Sequence, residues 1–391
     1  MGHIKGNSEK QILEQILASA DVRVNGDRPW DIKVRNPGFY SLVISRGSLG
    51  LGESYMEDWW DCEALDQFFD KTLHAGLDRH AKRSMGVLPA VIRSRLTNRQ
   101  RRSRAFDIGK RHYDIGNDLF SIMLDKGMNY SCGYWDKAAT LDEAQESKLN
   151  LICSKMGLEP GMRVLDIGCG WGGFARYAAA THGVEVTGIT VSKEQVQLAR
   201  ERCQGLPVRI KLMDYRDLDD TFDRIVSVGM FEHVGVKNYR TYMEVAARCL
   251  SQNGIFLLHT IGSNTSVHDT DTWINKYIFP NSMLPSAQQI TTASEGLFVL
   301  EDWHSFGHYY DRTLMAWYRN FTQNWDRIKE AYDRFFYRMW CYYLLSCAGS
   351  FRARQNQLWQ IVFSKEGVRG GCGMNQPEAD RGGRTERAVI S

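Results

Sequence analysis

A glycine-rich turn between an apolar strand and an amphipathic helix constrains the fold of this chain more than any other feature. Residues 164–177 read VLDIGCGWGGFARY, and an Ala-rich helical stretch follows the glycines. Glycines let the backbone turn sharply and leave space for a ligand beside the main chain. The pattern predicts a strand, a tight loop and a helix that begins near Trp171, whose free N–H groups face a nucleotide-like cofactor.

Three of these glycines, Gly168, Gly170 and Gly173, satisfy GxGxxG, a pattern of nucleotide-binding turns that is weak evidence by itself. Asp166 precedes the first glycine, where its carboxylate would attract the ammonium of an amino-acid ligand but repel a pyrophosphate. The residues therefore favour S-adenosylmethionine over a nicotinamide dinucleotide. A glycine turn that only serves packing is the remaining alternative.

Five apolar, β-branched runs alternate with helical segments after residue 160: RVLDIG, VEVTGI, VRIKLM, DRIVSVG and GIFLLHTIG. This order predicts an α/β fold with a doubly wound, mostly parallel sheet, the Rossmann-like arrangement of class I S-adenosylmethionine methyltransferases. Ligands of such sheets bind beyond the carboxyl ends of the strands. Five polar residues are expected to converge there: Asp166, Thr190, Asp214, Glu232 and His259.

The sequence predicts four parts along the chain. Residues 1–92 form a smaller helical domain for lipid, membrane or dimer contact, with amphipathic stretches at 9–20 and 64–77. An Arg-rich linker covers 93–105, the catalytic domain covers 106–364, and a polar, glycine-rich tail over 365–391 is expected to be disordered. The many aromatic residues between 303 and 340 fall largely on helical patterns. Most of them are expected in the core, and a few in a pocket for an apolar chain.

Charge and cysteine content narrow the location and the partners of the chain. The net charge of +3 gives no overall nucleic-acid signal, and the arginines of RSRLTNRQRRSR (93–104) have no interleaved aromatic residues. This run is either a solvated linker or a patch attracted to an anionic membrane by roughly 1 kcal/mol per charge. Nine cysteines without a CxxC pair indicate a reducing compartment and no metal site. Since no signal peptide or spanning helix is recognisable, the expected location is cytoplasmic.

Seven ordered motifs carry a family resemblance. They are HYDIGNDLF (112–120), YSCGYW (130–135), LDIGCGWGG (165–173), VSVGMFEHVG (226–235), LLHTIGS (257–263), WINKYIFPN (273–281) and CAGSFR (347–352). Over residues 25–363 the chain resembles the cyclopropane-fatty-acyl-phospholipid synthases.

This resemblance implies an enzyme that transfers a methylene from S-adenosylmethionine across a cis double bond of an unsaturated phospholipid acyl chain in a bilayer. The expected steps are methyl transfer, a carbocation and its deprotonation. The resemblance also implies peripheral contact with the inner face of the cell membrane and a homodimer. Related methyltransferases that act on lipid carbons or on amines are an alternative. A nicotinamide oxidoreductase and a non-enzymatic membrane-binding protein fit the residues less well.

The resemblance further implies that bound bicarbonate is the base. Its expected ligands are Cys132, Glu232, His259, the backbone N–H of Ile261, and Tyr310. Histidine, tyrosine and N–H groups can donate hydrogen bonds to an oxyanion, and the glutamate can orient the histidine or share a proton with bicarbonate. A further candidate catalytic residue, Cys347, is a nucleophile in one interpretation and a packing residue of a helix in the other.

The expected cofactor contacts follow the carboxyl ends of three strands. Tyr130 and Ser131 are predicted near the methionine end. Thr190 stands where nucleotide-binding folds usually carry an acid for the ribose, and Gln195 is the expected substitute. The full predicted set is Tyr130, Ser131, Asp166, Gly168, Cys169, Gly170, Trp171, Gly172, Gly173, Thr190, Ser192, Gln195, Asp214, Tyr215 and Arg216.

Overall fold

A seven-stranded sheet lies at the centre of the described part of the chain. The structure, a computed structural model, describes residues 2–77, 116–267 and 269–371. The strands are β1 (Lys33–Val34), β2 (Trp60–Asp61), β3 (Arg163–Ile167), β4 (Glu185–Thr190), β5 (Val208–Leu212), β6 (Phe222–Val228), β7 (Leu250–Ser263), β8 (Val299–Ser305) and β9 (Asn356–Ser364). The α-helices are α1 (Gly2–Ala18), α2 (Gly38–Met56), α3 (Leu65–His74), α4 (Asn117–Met123), α5 (Leu141–Met156), α6 (Gly173–His182), α7 (Lys193–Arg202), α8 (Tyr239–Cys249), α9 (Thr272–Tyr277), α10 (Ala287–Ser294), α11 (Tyr309–Gln323) and α12 (Arg334–Arg352).

The order of strands in the sheet is β5-β4-β3-β6-β7-β9-β8, and β3 to β7 run parallel. These strands are nearly continuous apolar runs because helices cover both faces of the sheet. Val164 packs against α5 and α6, whereas its neighbour Leu165 packs in the cluster of α8 and α10. The predicted α/β fold with a doubly wound, mostly parallel sheet is therefore confirmed.

Two antiparallel strands, β9 and β8, complete the sheet next to β7. Neither strand was among those predicted from the sequence, and the aromatic run from residue 303 was expected largely in helices, whereas Trp303 lies in β8. A short apolar run such as NQLWQIVFS has no periodicity that separates a buried strand from a buried helix. The pairing matters for the site, since it sets Gln360 of β9 opposite His259 of β7.

The helices of residues 2–77 share one hydrophobic cluster with α11 and α12. Trp60 is fully buried in this cluster, and Arg338 of α12 donates hydrogen bonds to the backbone carbonyls of Tyr55 (2.6 Å) and Trp60 (3.0 Å). Arg352 at the end of α12 pairs with Asp66 of α3 at 2.7 Å. The predicted domain boundaries near residues 92 and 105, like the arginine run, lie outside the described residues.

Residues 365–371 contact the sheet. Lys365 donates a hydrogen bond to the carbonyl of Leu250 (2.9 Å), and the N–H of Val368 donates to Glu301 Oε1 (2.8 Å). This differs from a disordered tail that begins at Lys365, and residues 372–391 lie outside the described part. Within the described ranges, no helix combines the length and the apolar character that a membrane crossing needs.

We predict that Gly52→Ala destabilises the contact between α2 and α9. A Cβ at Gly52 would lie far inside contact distance of the Trp273 indole, which is buried. Overpacking of this kind typically costs about 1–3 kcal/mol, measurable as the free energy of unfolding in urea. Ser45→Ala on the exposed side of the same helix is the matched control and should change stability by less than about 0.5 kcal/mol. Equal stability of the two variants would contradict the tight contact.

Candidate active site

The loop after β3 has the backbone that its glycines predict. Gly168, Gly170 and Gly172 have positive φ angles of 85°, 53° and 79°, and such angles favour glycine. A Cβ at Gly168 would lie 2.7 Å from the Cβ of Met230, whereas a Cβ at Gly170 would meet nothing within 4 Å. The helix α6 begins at Gly173, two residues later than predicted. The open side of the loop is therefore at Gly170.

Asp166 lies at the end of β3 with a buried carboxyl group. Its Oδ2 atom has no hydrogen-bond partner among the described residues. Burial raises the pKa of this carboxyl to about 7, although the nearby Lys148 ammonium lowers it. A cationic group of a ligand would satisfy the oxygen and stabilise its ionised form.

Other predicted loop residues have structural contacts. The Trp171 indole is buried, donates to Asn117 Oδ1 (2.8 Å) and packs on Phe120, with ring centroids 4.8 Å apart. Cys169 packs beneath α7, and a Cβ at Gly173 would lie 2.7 Å from Asn129 Oδ1. These residues shape the loop from the protein side.

The ends of β4 and β5 carry two polar networks. The Thr190 hydroxyl donates to Gln195 Oε1 (2.7 Å), and Ser192 caps α7 by accepting a hydrogen bond from the N–H of Gln195 (3.3 Å). Asp214 accepts from the N–H (3.0 Å) and the guanidinium (3.1 Å) of Arg216. Because the strands are parallel, both networks lie on the same sheet edge as Asp166.

Tyr215 differs from the expectation of an aromatic plane open to an adenine. Its ring is buried and meets Tyr242 edge-on at 5.0 Å, and the Arg216 guanidinium lies 4.9 Å from its centroid. The Tyr215 hydroxyl has no hydrogen-bond partner among the described residues. The ring is therefore part of the core in this structure.

A second group of polar residues lies at the ends of β6 and β7. The N–H of Ile261 donates to Glu232 Oε1 (2.6 Å), and Glu232 Oε2 has no hydrogen-bond partner in the described chain. Burial raises the pKa of the Glu232 carboxyl to about 7, against the lowering effect of the Ile261 N–H. The predicted backbone donor at Ile261 is thus already used by Glu232.

His259 is fully enclosed and contacts Gln360, a residue that the sequence analysis missed. The Gln360 side-chain Nε2 lies 3.3 Å from His259 Nδ1, and no described residue bonds to His259 Nε2. Burial lowers the pKa of His259 well below its usual value, so the ring is neutral. With Nδ1 accepting from the Gln360 amide, the ring proton belongs on Nε2, which makes that atom a hydrogen-bond donor.

Cys132 and Tyr310 complete this group. Cys132 is fully buried, and its Sγ lies 3.7 Å from the hydroxyl of Thr313, which also accepts hydrogen bonds from the Gly133 N–H (3.1 Å) and the Trp135 indole (2.8 Å). The Tyr310 ring stacks on Phe351 at 4.5 Å. Burial, with the nearby Cys132 and Glu232, raises the pKa of Tyr310 well above its usual value. Thr313 has no local signal in the sequence, because its contacts join segments about 180 residues apart.

Aromatic residues pack next to these groups, and the Trp317 ring lies 6.1 Å from the Tyr310 ring. The hydroxyls of Tyr130 and Tyr343 lie 2.8 Å apart, and the Tyr130 ring packs at 5.2 Å from Trp317. Cys347 lies on the same helix as Tyr343, and burial raises the pKa of its thiol to about 12. Ser131 is buried, and its Oγ accepts a hydrogen bond from Lys148 (2.9 Å), another residue that the sequence analysis missed. No group of three potential metal ligands occurs within the described ranges.

The sequence matches a known family. Residues 100–361 match the family described as mycolic acid cyclopropane synthetase. The chain is also 56% identical over 361 residues to cyclopropane-fatty-acyl-phospholipid synthase from Escherichia coli strain K12, covering 92% of this chain and 94% of that protein.

Solved structures agree with these matches. The cyclopropane synthase MmaA2 from Mycobacterium tuberculosis is 31% identical with a TM-score of 0.63, over 66% of this chain and 98% of that one. A mycolic acid cyclopropane synthase, CmaA1, complexed with SAH and CTAB is 32% identical with the same TM-score, 0.63, and the same coverage of 66% and 98%. The family resemblance predicted from the motifs is therefore confirmed, and the chain belongs to the mycolic acid cyclopropane synthetase family.

Proposed function

We propose that this chain transfers a methylene from S-adenosylmethionine to the cis double bond of an unsaturated phospholipid acyl chain and thereby forms a cyclopropane ring. One observation carries the proposal. Buried polar atoms of Glu232 and His259 have no partner in the described chain, and they lie on the same sheet edge as the glycine loop. The activity named for the Escherichia coli relative supports the substrate class.

The loop suits S-adenosylmethionine as the donor. Asp166 would bind its amino group, because this carboxyl has a free oxygen and a raised pKa that a cation would lower. The open side of Gly170 leaves room for the ligand, and the Thr190–Gln195 pair is suited to the ribose hydroxyls. The bound SAH of the solved relative supports this assignment, since SAH is what remains after the methyl group leaves. The cofactor supplies an electrophilic methyl group on its sulfonium.

The reaction needs an alkene that is held in line with the methyl group, a site that excludes water, and a base for the final deprotonation. The alkene electron pair forms a bond to the methyl carbon while the sulfur–methyl bond breaks, which leaves a carbocation on the acyl chain. A C–H bond of the new methyl group then breaks, its proton goes to the base, and its electron pair closes the ring. Water would trap the cation as an alcohol, so the site must exclude it. Cys132, Glu232, His259 and Tyr310 are each at most 8% exposed.

The second polar group suits bicarbonate as that base. The neutral His259 can donate from Nε2, and the Tyr310 hydroxyl stays protonated because burial raises its pKa. Glu232 has a pKa of about 7, which permits a proton to be shared between its Oε2 and an anion. In this arrangement the Ile261 N–H donates to Glu232 Oε1 and positions this carboxyl, rather than binding bicarbonate itself. Cys132 would close the pocket as a thiol, since burial raises its pKa.

The aromatic walls have a role in the same reaction. Tyr130, Trp317 and Phe279 form a continuous set of ring contacts, at 5.2 Å and 6.4 Å from the Tyr130 ring. Ring faces attract cations, so this wall would favour both the sulfonium and the carbocation. For Cys347 we propose packing rather than nucleophilic attack, because its thiol stays protonated near neutral pH.

Peripheral attachment to the inner face of the membrane and a homodimer belong to the same proposal. The acyl double bond lies in the bilayer interior, so the chain must dock on the lipid surface. The arginine run of residues 93–104, which lies outside the described residues, supplies the charge for that contact.

We predict that Gly170→Val abolishes cofactor binding while the fold persists. The added side chain would occupy the open side of the loop, where we place the ligand. The matched control is Gly205→Val, since Gly205 also has a positive φ (78°) and no atom within 4 Å of an added Cβ, but lies at the exposed end of α7. Calorimetry with SAH should show normal affinity for the control. Unchanged SAH affinity in Gly170→Val would contradict the placement of the cofactor at this loop.

We predict that Glu232→Gln lowers turnover strongly but leaves cofactor affinity within a few-fold of the parent, because its interaction serves a late proton transfer. Mass analysis of lipids from expressing cells should show a gain of one CH2 per unsaturated acyl chain with the parent and little with the variant. Branched or unsaturated methylated chains would instead favour the alternative of a lipid C-methyltransferase.

The same variant should remove a pH-dependent loss of stability. Glu232 binds its proton more tightly when folded, with a pKa of about 7 against 4.5. The stability gained from the protonated form is therefore present below about pH 4.5 and is lost as the pH rises through 7. Urea unfolding should show that the parent loses up to about 3 kcal/mol relative to Glu232→Gln over this window. Parallel pH curves for the two proteins would contradict the buried, protonated carboxyl.

We predict that changing Arg99, Arg101, Arg102 and Arg104 to Gln weakens binding to vesicles that contain anionic lipid. Salt should weaken the binding of the parent in the same way, because the attraction is screened over about 10 Å at 0.1 M ionic strength. Co-sedimentation measures vesicle binding, and calorimetry with SAH should give the parent affinity. If the quadruple variant binds vesicles as well as the parent does, the arginine run has no role in membrane binding and is a solvated linker.

A further inference from the structure

Lys148 of α5 is a buried charged residue that the proposed reaction does not use. Lys148 is only 1% exposed. Its Nζ donates hydrogen bonds to Ser131 Oγ (2.9 Å) and to Asn129 Oδ1 (3.4 Å). Both acceptors are neutral, and within the described ranges Lys148 forms no ion pair. Burial lowers the pKa of this ammonium to about 8. The Asp125 carboxylate counteracts this lowering most, but it is too far away for an ion pair with Lys148, and an ammonium without a directly bonded anion is costly to bury.

Asp166, near Lys148, is a buried group of the opposite charge type. It is a buried carboxyl with one unpartnered oxygen, and its pKa responds to the charge of Lys148. The two groups are close enough to interact, yet they do not form a direct ion pair. A ligand that carries one ammonium and one carboxylate would complete both of them. The methionine end of S-adenosylmethionine has this pair of charges.

The partners of Lys148 lie beside the cofactor loop. Asn129 Oδ1 sits against the backbone of Gly173, where α6 begins. Ser131 directly precedes Cys132 in the chain. Its hydroxyl oxygen accepts a hydrogen bond from Lys148, so its hydroxyl proton can be donated to another acceptor. An ammonium and a hydroxyl side by side form a two-donor site for a carboxylate.

We propose that Lys148 and Ser131 bind the carboxylate of the methionine part of S-adenosylmethionine, opposite Asp166 at its ammonium. The inference rests on the cofactor of the proposed function, adds Lys148 to its site, and gives Ser131, already an expected cofactor contact, a stated chemical role. Bicarbonate is a second carboxylate-like anion within the field of Lys148, since Cys132 and His259 also interact with this ammonium. Lys148 bonds directly to Ser131, a residue expected at the methionine end of the cofactor, and this favours the methionine carboxylate over bicarbonate.

The test compares two ligands that differ only in that carboxylate, S-adenosylmethionine and its decarboxylated analogue, by calorimetry. We expect the parent to prefer S-adenosylmethionine by about tenfold to hundredfold, the worth of one charge-assisted hydrogen bond. Lys148→Met should lose most of this preference by weakening S-adenosylmethionine alone. The matched control is Lys155→Met, because Lys155 is a second buried lysine of α5 that pairs with Asp302 of β8 at 3.0 Å. The control should keep the parent preference.

Each other result overturns the inference or the function it rests on. Equal weakening of both ligands by Lys148→Met would mean a merely structural role, and an unchanged preference would exclude contact with the carboxylate. If only the bicarbonate dependence of turnover changes, the anion is bicarbonate. Failure of the parent to bind either ligand would contradict the proposed function itself. Should Lys148→Met fail to fold, Ser131→Ala must show the same selective loss, and its absence would also overturn the proposal.

Discussion

The pairing of β7 with both β6 and β9 is the constraint on which the site depends. On one side, the parallel register sets Val228 opposite His259, so the segment after β6 brings Glu232 to the N–H of Ile261. On the other side, the antiparallel register sets Gln360 opposite His259. Because side chains alternate along a strand, a shift of one residue in either register would turn His259 to the opposite face. The geometry of the second polar group is therefore fixed by backbone hydrogen bonds rather than by side-chain packing alone.

Desolvation then gives these groups their chemical character. The same burial that raises the pKa of Asp166 and Glu232 to about 7 lowers that of His259, so these side chains are neutral or able to share a proton near neutral pH. In water these side chains would be charged or exchanging protons with solvent. The reaction proposed above, in which a carbocation loses a proton late, would benefit from this exclusion of water. The cost is local instability, because Asp166 Oδ2, Glu232 Oε2 and His259 Nε2 are buried without a hydrogen-bond partner among the described residues.

Hydrophobic periodicity and turn residues are the parts of this fold that the sequence encodes locally. The five parallel strands, the glycine loop and the position of Asp166 follow from local patterns. Gln360 could not be predicted because the segment NQLWQIVFS lacks the regular alternation of polar and apolar residues that marks a strand, so its pairing with β7 has no local signal. Lys148 was missed for a different reason. A lysine in an amphipathic helix is normally solvated, and only the tertiary structure shows that this one is enclosed.

The helix α12 joins the walls of the site to the first 77 residues. The Tyr343 hydroxyl contacts that of Tyr130, while Arg338 and Arg352 of the same helix bind the backbone carbonyl of Trp60 and the carboxylate of Asp66. A buried guanidinium that donates to two carbonyls is expensive to leave unpaired, so displacement of the early helices would disturb α12 as a whole. The helices of residues 2–77 thus support α12, and through it the side chains of the site. Their shared hydrophobic cluster with α11, which carries Tyr310 and Thr313, extends this dependence to the proposed bicarbonate site.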